Sequence, residues 1–345
     1  MRARLILGFV FFAICLGLGY PGVSRYDPKE VAGLHDTRRY VNMLEGTAGW
    51  TTQQELRVLV PFLARPIYRA VDGRVGTWRP EFLALLIVNS VFVAWAAVLL
   101  AGVGERVTQS YVIGLTGPLL YLLSFNVANV QLAGLVDSVE AWSLIAVTWA
   151  LVSKRWAIIP LIGIVGALGK ETSIPLVFAF CAAWCLRLAM TKSAPRELYL
   201  ATGALLVLQV ATITLVRASL TGETMLPWEL VTDMRRLRFG DALVGSVFNH
   251  EMLYAFAWLL PLGLWRLRRL PVEWLAASGA SLLVALGIGV WFGVTGNVAR
   301  PAFNAVGPML SLSVAILLAE PGSRNGDSMK NTALKTTGYP LDASR

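Results

Sequence analysis

The chain has 345 residues, of which 56% are hydrophobic and only 15% are charged, and its mean hydropathy is +0.62. Soluble domains carry roughly a quarter charged residues, so this composition excludes a soluble globular protein and indicates an integral membrane protein. The net charge of +9 is typical of the Lys and Arg residues that anchor membrane helices at the cytoplasmic face, so we expect no nucleic-acid partner.

Apolar runs that approach the ~20 residues of a membrane span recur along the chain. We predict an all-α, polytopic transmembrane bundle, residues 1–320, followed by a disordered cytoplasmic tail, 321–345. The first run follows Arg2 and Arg4 but ends without a signal-peptide cleavage motif, so we expect it to remain as the first span. The ten predicted spans lie near residues 4–22, 81–103, 108–125, 137–152, 156–169, 172–190, 197–217, 251–265, 272–294 and 301–319.

Lys and Arg residues are distributed unevenly between the two sets of short gaps. With the N-terminus inside, the outside gaps contain little charge: none in 124–136, Lys170–Glu171, and one Arg in 295–300. The basic residues of the inside gaps are Arg106, Lys154, Arg155, Arg187, Lys192, Arg196, Arg266, Arg268 and Arg269. This asymmetry predicts an N-in, C-in protein of a bacterial inner membrane. Two long loops, 21–80 and 218–250, then face the periplasm or exterior.

The first long loop predicts two interfacial helices. Residues 35–46 read as a short helix that begins at His35–Asp36 and ends at Gly46, and residues 55–72 read as an amphipathic helix. The second helix has its polar positions on one face at Arg57, Pro61, Arg65, Arg69 and Asp72. We expect Pro61 and Pro66 to kink it. A helix with a basic face lies in the membrane interface, where it either rests on the bilayer or contacts lipid phosphates.

Carboxylates occur at the outside ends of the helices, and each has a structural and a functional interpretation. Asp36 is either an N-cap or a general base, with Tyr40 one turn later on the same face. Asp137 and Glu140 have the spacing of a capping box. Glu140, however, lies nearly a turn inside an apolar run, where a carboxylate is costly and usually functional.

Basic residues share this outside face. Lys170 and Glu171 join two apolar runs with almost no loop, either as a local ion pair in a turn or as a lysine that neutralises a phosphate. Arg300 precedes Pro301 at the start of the last span; a proline is ordinary there, whereas the arginine is not explained by helix initiation. Further phosphate-binding candidates, or solvated charges, are Arg217, Arg235, Arg236 and Arg238.

Carboxylates beside Lys and Arg at headgroup depth suit a reaction on a lipid phosphate. A carboxylate can deprotonate an acceptor hydroxyl. Cations, or a divalent metal, can stabilise the phosphate that leaves.

The arrangement resembles the GT-C class of polytopic glycosyltransferases, which use polyprenyl-phosphate sugars as donors. The motifs that carry the resemblance are D-x-x-x-Y (Asp36, Tyr40), R-x-L-x-P (Arg57 to Pro61), Asp137-x-x-Glu140, GKET (169–172) and R-P-x-F-x-x-x-x-P (Arg300 to Pro308). The resemblance covers about residues 1–320 and includes interfacial helices in the first extracytoplasmic loop.

The resemblance implies a catalytic role for Asp36 as the base, with Asp27 as the second choice, and inverting transfer to a lipid-linked or glycan acceptor. The substrate-binding residues that it implies are Tyr40, Arg57, Asp137, Glu140, Lys170, Glu171 and Arg300. The paired-acid D-x-D or E-x-D motif of several members is missing from the first loop. We therefore assign no metal-binding residue and leave open a Mg²⁺ or Mn²⁺ cofactor. Acceptor recognition would fall to loop 218–250 and the membrane cavity.

Two other functions fit the same charges. One is a transporter or flippase for a lipid-linked or anionic solute, although the chain shows no internal repeat of the kind such proteins have. The other is a non-catalytic assembly partner related to GT-C enzymes.

Overall fold

A computed structural model describes residues 2–25, 35–50, 53–76, 79–224, 226, 239–292 and 298–320. These residues form α-helices, short 3₁₀ and π turns and their connections, with no β-strand among them, which confirms the all-α prediction. The helices are α1 (Arg2–Arg25), α2 (His35–Glu45), α3 (Leu59–Val71), α4 (Pro80–Thr108), α5 (Tyr111–Leu122), α6 (Asp137–Val152), α7 (Ile159–Gly169), α8 (Ser173–Met190), α9 (Arg196–Thr221), α10 (Phe239–Val247), α11 (His250–Phe256), α12 (Leu259–Arg266), α13 (Val272–Phe292) and α14 (Ala299–Ala319).

Six helices in the described ranges are long and apolar enough to cross a bilayer: α1, α4, α8, α9, α13 and α14. The chain therefore has the architecture of a helical membrane protein. The other four predicted spans fall on α5, α6, α7 and the pair α11–α12, each of which is shorter than the ~20 residues that a full span requires.

Two helices, α4 and α14, form the centre of the bundle. α4 packs against α1, α5 and α6, and α14 packs against α5, α12 and α13. Small residues permit these close contacts, because a Cβ atom at Gly104 of α4 would lie 3.0 Å from the Cα atom of Gly114 in α5. Membrane helices commonly associate through such small residues. The first turn of one of these central helices, α14, carries the predicted site residue Arg300.

The helices α4 and α14 end on the same side of the bundle. The same hypothetical Cβ atom at Gly104, one turn before the end of α4, would lie 2.8 Å from Leu312 of α14. Exposed ion pairs occur on this side, with Arg4 4.0 Å from Glu105 and Arg266 3.5 Å from Glu320. We call this side, defined by Arg4, Glu105, Arg266, Arg269 and Glu320, the basic end.

The first loop contains both predicted helices, with one change in their bounds. α2 ends at Glu45, and Gly46 follows with a φ of +82°, the left-handed conformation with which glycine commonly ends a helix. The second helix begins at Leu59 instead of residue 55. Pro61 therefore falls in its first turn, where no helical hydrogen bond is lost, so the predicted kink at Pro61 is wrong. Arg57 precedes the helix and does not belong to its basic face.

Candidate functional site

The predicted site residues come from five separate elements and lie together at the end of the bundle opposite the basic end. α2 supplies two of them, and the segment before α3 supplies one. The rest come from the first turn of α6, the turn between α7 and α8, and the first turn of α14. In this order the residues are Asp36, Tyr40, Arg57, Asp137, Glu140, Lys170, Glu171 and Arg300.

Arg57 joins the first loop to the turn between α7 and α8. Its Nη2 atom lies 2.5 Å from Oε1 of Glu171, and its Nε atom donates to Oε2 of Glu171 at 3.0 Å. Such two-bonded guanidinium–carboxylate pairs are among the strong hydrogen bonds in proteins. The Nη1 atom of Arg57 donates to the Tyr40 hydroxyl at 3.2 Å and lies 4.0 Å from Oδ2 of Asp36. One buried arginine therefore organises the acid, the phenol and the turn.

The pKa values of this group follow from burial and pairing. Burial would lower the pKa of Arg57, but Glu171 and Tyr40 raise it well above the ordinary value. Burial would raise the pKa of Glu171, but the Arg57 guanidinium holds it below the ordinary value. Burial raises the pKa of Tyr40 to about 12, despite the opposing effect of Arg57. At neutral pH the pair is thus ionised and the phenol keeps its proton.

Lys170 lies between the two carboxylates of α6. Its Nζ atom donates to Oδ1 of Asp137 at 2.7 Å and lies 3.6 Å from Oε2 of Glu140. Glu140 is fully buried, accepting from Asn304 at 2.9 Å and from the hydroxyl of Thr172. Buried charges persist in proteins when they are paired and hydrogen-bonded in this way. In this second group, Lys170, Asp137 and Glu140 therefore each have a hydrogen-bond partner.

These contacts decide between the interpretations that the sequence left open. Asp137 and Glu140 bond side chains of other elements, and α6 begins after Val136 without a side-chain cap, so the capping-box interpretation is wrong. Lys170 and Glu171 do not pair with each other but with residues 33 and 114 positions away. Tertiary packing, which local spacing cannot reveal, selects these partners.

Two charged side chains at the site, Asp36 and Arg300, make no hydrogen bond with the described residues, unlike the others. The Asp36 carboxylate lies 3.7 Å from Arg39 and 4.0 Å from Arg57, beyond hydrogen-bond distance, and the side chain is 29% exposed. α2 already begins at His35, and the described residues donate no hydrogen bond to this carboxylate, so it is not an N-cap. The Asp36 carboxylate is therefore accessible, whereas Asp137 and Glu140 are buried and bonded, and Glu171 is bonded and only 11% exposed.

Arg300 is the second side chain of this kind. It lies near enough to act electrostatically on Asp137, but it has no ion pair or hydrogen bond with the described residues. Its Nε atom is buried without a partner. A guanidinium left unsatisfied beside a cluster of paired charges is suited to receive an anionic group.

Sequence reasoning missed the uncharged members of the site, Gln131 and Asn304. Both are fully buried, and Gln131 donates to Asn304 at 2.9 Å, while Asn304 donates to Glu140. For Asn304, a carboxamide inside an apolar run was the available signal, since polar side chains within membrane segments are used for contacts between helices. Gln131 lies in the predicted gap 124–136, which carries no such signal.

Other predicted residues contribute differently or are not described. Arg217 is buried at the end of α9 and donates to the carbonyl oxygen of Leu226 at 2.7 Å, so it holds the following segment of chain. The residues that lie outside the described ranges are Asp27, Arg235, Arg236, Arg238 and the tail 321–345.

The described residues do not fit the Mg²⁺ or Mn²⁺ cofactor that the sequence left open. Nowhere in the described part of the chain do three or more His, Cys, Asp or Glu side chains come together as metal ligands. Asp137 and Glu171 are each hydrogen-bonded by a cationic side chain, and Glu140 lies 3.6 Å from Lys170. Hard divalent cations require several free oxygen ligands.

No protein-family model, curated protein or solved structure matches the chain. What the fold and the site define is a helical membrane protein with a cluster of buried ion pairs at one end of its bundle.

Proposed function

We propose that the protein is a membrane glycosyltransferase of the GT-C type, which transfers a sugar from a polyprenyl-phosphate donor to a lipid-linked or glycan acceptor. One observation carries this proposal: an accessible carboxylate, Asp36, and an unsatisfied guanidinium, Arg300, belong to one cluster whose other charges are paired. The reaction requires one group that accepts a proton and one that binds a phosphate.

In the proposed reaction, Asp36 accepts the proton of the acceptor hydroxyl group. The hydroxyl oxygen attacks C1 of the donor sugar as the bond between C1 and the phosphate oxygen breaks. The bonding electrons leave with the polyprenyl phosphate, whose negative charge Arg300 stabilises, with Lys170 as a second cation nearby. Because the attack displaces the phosphate directly, the configuration at C1 is inverted.

The paired charges hold the two reactive groups in position. Arg57 is fixed by two bonds to Glu171 and by Tyr40, and it approaches Asp36 at 4.0 Å. This arrangement places a fixed cation near the proposed base. Catalytic groups are effective when their own supports are rigid, and these supports are nearly covered and hydrogen-bonded to each other.

The transmembrane arrangement that suits this function has about ten spans, with both termini in the cytoplasm and the site at the periplasmic or exterior face. The shorter helices α5, α6, α7 and α11–α12 then serve as the remaining spans, and neighbouring helices compensate for their length. The arginines of the basic end support this orientation, since cytoplasmic ends carry an excess of Lys and Arg. The amphipathic α3, with Phe62 and Leu63 exposed, suits a position on the outer membrane surface.

Proteoliposomes test the proposal. Purified protein, supplied with radiolabelled polyprenyl-phosphate hexoses and pentoses and with a bacterial lipid extract as acceptor, is expected to produce labelled glycan or glycolipid. The new linkage should have the opposite anomeric configuration to the donor, as measured by NMR. Absence of transfer together with uptake of a labelled lipid-linked solute would instead identify a transporter. Absence of both would favour an assembly partner.

A further inference from the structure

A chain of four buried side chains leads through the bundle to Glu140. The Tyr121 hydroxyl of α5 donates to Oε1 of Gln131 at 2.9 Å, and Nε2 of Gln131 donates to Oδ1 of Asn304 at 2.9 Å. Nδ2 of Asn304 then donates to Oε1 of Glu140 at 2.9 Å. All four residues are at most 1% exposed, so water does not compete for these bonds.

The bonds in this chain have one direction. The Glu140 carboxylate only accepts, so the NH₂ group of Asn304 must face it, and the Asn304 oxygen must face Gln131. The same logic turns the Gln131 oxygen toward Tyr121, whose hydroxyl must donate. The chemistry of the network, instead of atom positions alone, thus assigns both amide orientations. Every donor points toward Glu140, which is the arrangement that favours a buried carboxylate.

Asn304 also lies four residues after Arg300 on α14, and residues at this spacing share one face of a helix. The bond between Asn304 and Glu140 therefore fixes the rotation of the helical turn that carries Arg300. Lys170 is held by the same carboxylate at 3.6 Å. Asn304 therefore shares a helix face with Arg300 and bonds the carboxylate that lies beside Lys170.

We infer that Asn304, supported by Gln131, is a positioning residue for phosphate binding, acting through Arg300. This inference rests on the proposed function, because it assumes that Arg300 binds the phosphate of a polyprenyl lipid. It assigns the placement of the phosphate-binding arginine to buried, uncharged side chains that do not contact the phosphate themselves.

The test measures binding of undecaprenyl phosphate, without a sugar, to the full chain in phosphatidylcholine nanodiscs. Asn304→Leu is expected to weaken binding about tenfold, the range for a lost hydrogen bond to a charged group, and Gln131→Leu about threefold. Asn129→Leu is the matched control, since Asn129 is exposed and its one hydrogen bond among the described residues is to the carbonyl oxygen of Phe125; this variant should bind like the wild type. Melting temperatures identify variants that fold poorly. If Asn304→Leu is one of them, the binding measured for Gln131→Leu decides the test alone.

A double-mutant cycle separates positioning from general damage. If Asn304 acts through Arg300, Asn304→Leu weakens binding less than twofold further in a chain that already carries Arg300→Ala. An additional loss of about tenfold in that background would overturn the inference. If Arg300→Ala weakens binding while Asn304→Leu and Gln131→Leu do not, only the inference fails. If the wild type and Arg300→Ala bind equally, or neither binds, the proposed function fails and the inference with it.

Discussion

Asp36→Asn is expected to lower the turnover number of sugar transfer by about 10²- to 10⁴-fold, the contribution of a general base. Asparagine has the size of aspartate but cannot take the proton of the acceptor hydroxyl. The fold should persist, because the Asp36 carboxylate accepts no hydrogen bond from the described residues and its ion pairs with Arg39 and Arg57 are long. The measurement is the initial rate with a labelled polyprenyl-phosphate donor, beside the melting temperature of the purified variant.

Asp72→Asn supplies the matched control for this substitution. Asp72 belongs to the same loop, directly after α3, and is exposed. The Asp72→Asn substitution removes a carboxylate from the same loop and should leave the transfer rate unchanged. Asp36→Glu should recover part of the activity, since it restores a base one methylene away. Undiminished turnover by Asp36→Asn would remove this residue as the base.

Arg57→Met is expected to destabilise the protein by about 3–5 kcal/mol, because it leaves Glu171 buried without its partner. Both side chains are nearly covered, at 13% and 11% exposure, so water cannot replace the lost contacts. The first loop should detach from the turn between α7 and α8, and transfer should be lost with it. Unfolding in a denaturing detergent measures the stability, and limited proteolysis of residues 35–76 measures the detachment.

The double variant Arg57→Met, Glu171→Leu separates stability from function. Removing both buried charges should restore most of the stability, whereas transfer should stay low because Asp36 and Tyr40 have lost the guanidinium between them. Arg69→Met, which changes an exposed arginine of α3, is the control and should behave like the wild type. If Arg57→Met unfolds at the same detergent concentration as the wild type, the ion pair does not hold the loop.

The end of the bundle at which these residues meet could be predicted from the sequence, but their partners could not. Hydropathy and the distribution of Lys and Arg place the ends of α2, α6 and α8 on one side without any knowledge of packing. The pairing of Arg57 with Glu171 depends on how two non-helical segments, 114 positions apart in the chain, lie against each other. Local spacing therefore offered capping and turn interpretations that the side-chain contacts contradict.

Span lengths and uncharged site residues were the other limits of sequence reasoning. An apolar run marks a helix in the bundle, but it does not distinguish a helix long enough to cross a bilayer, such as α4, from a shorter apolar helix such as α7. Gln131 and Asn304 carry no charge, so the pattern of ionisable residues does not indicate them. Asn304 bonds Glu140, and Gln131 bonds Asn304.

The most direct measurement is a cryo-electron microscopy structure with bound polyprenyl phosphate. The proposed function predicts the phosphate within about 4 Å of the Arg300 guanidinium, with Asp36 facing the same cavity and the isoprenoid chain running along the bundle. A phosphate at the basic end, beside Arg4 or Arg266, or a lipid chain with its phosphate remote from Arg300 would contradict it.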